Sequence, residues 1–150
     1  MFPSTITYQA ENLAQLALAA ATQIDKFRRT KKANLEVIVE FANALANFSG
    51  VDDAAGGYMM LDPAATEMFN MATSQTIHKK ITNTDLLKNE LSSLIDSFRD
   101  QSILKEGNGI ANLEAAKNFC LLIHQYILRH RPTSYPNEKG VFDYDYSYPG

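Results

Sequence analysis

Apolar residues recur every three or four positions through most of this chain, and every second position only at its end. The sequence therefore predicts helices followed by an extended segment. Thr7 to about Arg29 carries Leu13, Leu16, Ala17, Ala20, Ile24 and Phe27 on one stripe, with the alanine run 17–21 adding helix propensity. A second helix is expected from about Lys32 to Phe48. It turns Leu35, Ile38, Phe41, Ala42, Leu45 and Phe48 inward and Glu36, Glu40, Asn43 and Asn47 outward, and Gly50 is its stop.

A loop, Gly50–Leu61, separates this helix from a third over about Pro63 to Lys80. Asp62-Pro63 is a favourable helix start, and Met68, Phe69, Ala72 and Ile77 form the inner face. The stretch Thr82-Asn83-Thr84-Asp85 offers two caps for a fourth helix, which reads on to about Lys105 before Gly107-Asn108-Gly109 breaks it. Its stripe is Leu87, Leu91, Leu94, Ile95 and Phe98. The fifth, about Ile110 to Arg131, is apolar nearly all round. That pattern predicts a helix surrounded by others, or one whose surplus apolar surface meets a second copy of the chain.

Short connections favour antiparallel neighbours, so the expected fold is all-α, an antiparallel up-and-down bundle of about five helices over residues 1–131. Residues 132–150 change character, with three prolines and five aromatics. Phe142, Tyr144, Tyr146 and Tyr148 alternate with Asp143, Asp145 and Ser147, a strand-like period. Disordered tails are generally poor in aromatics, so this Tyr-rich tail is expected to pack on the bundle or on a partner.

Composition adds bounds. The 150 residues are 45% hydrophobic and 21% charged, ordinary for one globular domain. The single cysteine, Cys120, stands in an apolar run, where a buried thiol is expected and an intrachain disulfide is impossible. No segment reads as membrane-spanning, and no basic residue precedes Lys26 as a secretory signal requires, so a cytoplasmic location is expected.

The net charge is −3, yet ten of the fourteen basic residues fall in four short stretches: Lys26, Arg28, Arg29, Lys31 and Lys32; Lys79 and Lys80; Lys88; Arg129 and Arg131. Strict alternation of five helices brings all four to the same end, with Asp52, Asp53, Asp62, Asp100 and Glu106 at the other. Helix dipoles account for part of this pattern, since cations favour last turns. They do not account for Lys31, Lys32 and Lys88, which lie in a connection or at helix starts. These ten residues are therefore the expected anion- or partner-binding site.

Catalytic patterns are missing. The residues three before His78, His124 and His130 are Gln75, Leu121 and Ile127, so no Glu-x-x-His metal pair occurs. There is no Cys-x-x-Cys, no His-Glu-x-x-His and no phosphate-binding Gly-x-x-x-x-Gly-Lys. His124, on an apolar helix, is expected to satisfy one internal hydrogen bond. The sequence thus points to a non-enzymatic binding or adaptor protein, or a small subunit of an assembly, with no cofactor or small-molecule substrate. Protein partners or self-association are expected, and the alternative is RNA or DNA phosphate binding through the basic pole.

Overall fold

The computed structural model describes residues 4–52, 63–105 and 110–130. Among these residues the structure is all-α and contains no strand. Residues 53–62 of the central loop, Arg131 and the tail with Phe142, Tyr144, Tyr146 and Tyr148 lie outside the described residues. The helices are α1 (Ser4–Thr30), α2 (Leu35–Ser49), α3 (Pro63–Ile77), α4 (Thr84–Arg99), α5 (Ser102–Lys105) and α6 (Ile110–His130).

The stripes expected from the sequence form the core. Leu13, Ala17, Ala20 and Ile24 of α1, Ile38, Phe41 and Leu45 of α2, and Leu87, Leu91, Ile95 and Phe98 of α4 are buried, together with Ala116, Phe119, Cys120 and Ile123 of α6. At the centre Phe98 stacks on Phe119 at 5.8 Å while Phe41 presents its edge to both, at 5.5 and 6.4 Å. These separations suit the ring quadrupoles, so the layer gains more than its buried area alone provides.

Local signals set the helix ends. Asn34 Oδ1 accepts from Glu36 N–H, and Asn83 Oδ1 accepts from Leu86 N–H at 2.7 Å; Asn83 is thus the cap chosen within residues 82–85. Gly50, at φ 80°, closes α2 through its N–H to Ala46 O. The same left-handed geometry falls on non-glycine residues at Lys31, His78 and Gln101. Lys31 N–H bonds Phe27 O, and Lys79 N–H reaches back to Ser74 O, so α1 and α3 also end in left-handed caps.

The expected alternation is corrected at the last helix. Arg28, near the end of α1, pairs with Glu114 near the start of α6, Asp25 pairs with Lys117, and Ala14 O meets His124 Nδ1 at 2.8 Å. Numbers rise along α6 as they fall along α1, so these helices are antiparallel, whereas five alternating helices would make first and last parallel. On α3, Glu67 takes Tyr126 Oη, while Gln75, Thr76 and His78 lie beside Glu114, Ala115 and Asn118. Hence α3 also runs against α6 and finishes where α1 finishes.

The reason lies at Asp100. The fourth helix stops at Arg99 instead of continuing to Lys105, because Asp100 Oδ1 accepts Ser102 N–H at 2.8 Å and Gln101 turns left-handed at φ 62°. A separate short helix, α5, follows, and α6 then departs from the end at which α4 set out. One additional reversal flips the sense of the last helix.

The last helix has neighbours on several sides: α6 packs along α1 and α3, touches α5 and meets Phe41 of α2 and Phe98 of α4 through Phe119. Its exposed side chains among the described residues are Asn118, Gln125, Leu128 (40%) and Arg129.

Candidate interaction surface

The corner between α1 and α2 is tied by its own side chains. Thr30 Oγ1 donates to Lys26 O at 2.9 Å and accepts from Lys32 N–H at 3.1 Å. Asn34 N–H donates to Gln23 Oε1 at 2.8 Å. Lys31 and Lys32 are exposed on this corner, and Lys31 Nζ lies 6.0 Å from the Phe27 ring centre, within cation–π range. Phe27 itself packs against the core, as its stripe predicted.

The antiparallel run of α1, α3 and α6 decides which expected site residues meet. Lys26, Arg28, Arg29, Lys31 and Lys32 share one end with Lys79 and Lys80, which follow α3. Lys88, in the first turns of α4, joins them through the Lys79–Glu90 pair nearby. Arg129 does not. It lies fifteen residues beyond Glu114 on α6, about 22 Å along the axis at 1.5 Å per residue. The expected ten-residue pole therefore loses Arg129 to the opposite end, where α6 finishes.

Lys117 takes the vacated place, at 3.2 Å from Asp25. No sequence signal distinguished Lys117, because its neighbourhood depends on the direction of α6. Nine cations then face five carboxylates: Asp25, Glu36, Asp85, Glu90 and Glu114. This is a mixed surface with a positive excess.

Its cations divide into two groups. Arg28 bridges Asp25 and Glu114, Arg29 Nε lies 3.4 Å from Asp25, Lys117 reaches the same carboxylate, and Lys79 pairs with Glu90 at 3.1 Å. These pairs bind α1 to α6, and the α3–α4 connection to α4. The hydrogen bond from Lys117, reinforced by Arg29, holds the Asp25 carboxyl below its ordinary 3.8 against the opposing effect of burial. Lys26, Lys31, Lys32, Lys80 and Lys88 have no carboxylate partner among the described residues.

Beside these cations runs a groove of about 300 Å³ between the end of α3 and the first half of α6. Gln75, Thr76 and His78 line one wall, Glu114, Ala115, Asn118 and Leu122 the other. Glu114 is held by Arg28, so its charge is already matched. His78 owes its place at the mouth to its left-handed turn, for which His-Lys-Lys carries no glycine-like sequence mark.

Other candidate chemistry finds structural uses. His124 bonds the backbone of α1, as expected. Cys120 is fully buried, and burial pushes its thiol up, away from thiolate chemistry. Among the described residues no group of three His, Cys, Asp or Glu side chains is placed to hold a metal ion. No described helix is long and apolar enough to cross a membrane. Comparison of the chain with protein-family models, with curated proteins and with solved structures finds no match in any of the three.

Proposed function

We propose that this chain is a non-enzymatic binding protein, or a small subunit of a larger assembly, whose partner presents an acidic protein surface to the lysine-bearing end. The helices are read as an up-and-down bundle whose sense is reversed once by α5, with the aromatic tail packing on the bundle or on a partner. The observation that carries the reading is the division among the cations. Arg28, Arg29, Lys79 and Lys117 are consumed by internal pairs, while Lys31 and Lys32 stand on a hydrogen-bonded corner with no carboxylate partner among the described residues. Holding two like charges side by side costs free energy in the unbound protein, and an acidic partner relieves that cost.

Nucleic acid is the second reading. It is favoured less because base recognition on a single strand needs exposed aromatic faces beside the cations. The aromatic ring at the corner, Phe27, is partly buried and covered by Lys31, so it offers no open stacking platform there.

The test titrates fluorescent poly-L-glutamate and a single-stranded RNA of equal charge into the protein at low and physiological salt. Poly-L-glutamate is expected to bind with salt dependence, and Lys31→Glu/Lys32→Glu/Lys80→Glu to abolish binding, while Arg129→Glu has no effect. Preference for RNA would transfer the site to the second reading. Absence of any binding at low salt would end both.

A further inference from the structure

We infer that the groove between α3 and α6 receives an apolar side chain from an acidic peptide segment whose carboxylates engage the neighbouring lysines. This rests on the acidic-partner reading above and adds to it where the partner's anchor goes.

The groove has a two-part chemistry suited to such a ligand. Ala115 and Leu122 supply an apolar floor, both only half-buried. Gln75 and Asn118 stand round it with amides, which can both donate to and accept from a peptide backbone, and Thr76, whose hydroxyl donates to Ala72 O, can accept. At about 300 Å³ the space is at the lower end of the range for ligand pockets, enough for one anchoring side chain but not for a large cofactor. Peptide recognition commonly works this way, through one apolar anchor in a recess with charge selection around it.

Charge complementarity selects the occupant. Among the residues lining the groove the one carboxylate, Glu114, is matched by Arg28, and the chain leaves the mouth through Lys79 and Lys80. Lys79, held by Glu90, and Lys80, exposed and without a carboxylate partner among the described residues, follow His78 directly in the chain and leave a positive excess next to that wall. A basic peptide would be repelled there, and an acidic one drawn in. His78 holds a left-handed backbone that glycine would adopt at lower cost, and in doing so keeps an imidazole at the mouth.

The experiment compares two fluorescein-labelled pentapeptides, four glutamates flanking a central leucine and the same peptide with central serine, by fluorescence anisotropy at low salt. The leucine peptide is expected to bind roughly five- to tenfold more tightly, the effect of partly burying one leucine side chain. Ala115→Trp, which fills the groove from its half-buried floor, should erase that difference and leave the serine peptide's affinity unchanged. Should the variant fold poorly, amide chemical shifts of the native protein give the same information: residues 75–78 and 115–122 should move with the leucine peptide and not with the serine peptide. Equal, salt-dependent binding of both peptides would overturn the groove assignment while leaving the acidic-partner reading intact. Binding of neither would overturn both.

Discussion

The phenylalanine layer at the middle of the molecule and the charged end beside it are built on different information. Phe41, Phe98 and Phe119 are each fully buried and meet across three helices. Any helix carrying them on its inner stripe brings them to the axis, whichever way it runs. At the charged end, direction is everything. Arg28 is a structural bridge because Glu114 arrives beside it, and Arg129 is solvent-exposed at the far end because α6 ascends from that point. Burial follows from periodicity, whereas charge partnership follows from topology.

The largest expected effect breaks the layer. Phe98→Ala removes a fully buried ring from contact with two others and should cost about 3–5 kcal/mol, read as a lowered midpoint in urea unfolding. The loss should be similar at pH 3 and pH 7, since no charge is involved.

Acid sharpens the comparison from the other side. The Asp25 carboxyl is held below its ordinary value by Lys117 and Arg29, and Asp100 is held down by the backbone hydrogen bond from Ser102. Their contribution is complete above the ordinary carboxyl value of 3.8 and is lost as the pH falls through the lower folded-state values. Stability should therefore decline below that range. Asp25→Asn should lower stability at pH 7 and flatten part of the acid decline, measured by urea midpoints across pH 2–7. An unaltered acid limb would show that the Asp25 hub contributes nothing to it.

The smallest effect separates two uses of one backbone geometry. Gln101→Gly and Lys31→Gly each place glycine at a left-handed residue and should each raise stability by up to about 1 kcal/mol. Only Lys31→Gly should weaken poly-L-glutamate binding. If both variants bind as the native protein does, Lys31 is a helix end and nothing more.

The five long helices and their inward faces were legible because their stripes repeat over fifteen or more residues. The break at Asp100 was not, because the helical pattern reads on to the stronger stop at Gly107-Asn108-Gly109, although the stripe lapses after Phe98 at Gln101, Ser102 and Lys105 and leaves Ile103 and Leu104 on the opposite face. What ends the helix early is one side-chain hydrogen bond to the backbone two residues on. That local event set the direction of α6, and with it the membership of the charged surface. The lysines at 31, 32 and 80 were found from clustering alone. Lys117 and the groove were invisible, because both are products of which helices become neighbours.

The reversal at α5 has a practical outcome for anyone handling the protein. Because α1 starts and α6 finishes on the same side, a tether or dye attached near Tyr8 or near Arg129 points away from the lysine corner. A surface-immobilised sample coupled there would display that corner outward, unobstructed. With strictly alternating helices, coupling near Arg129 would have masked it.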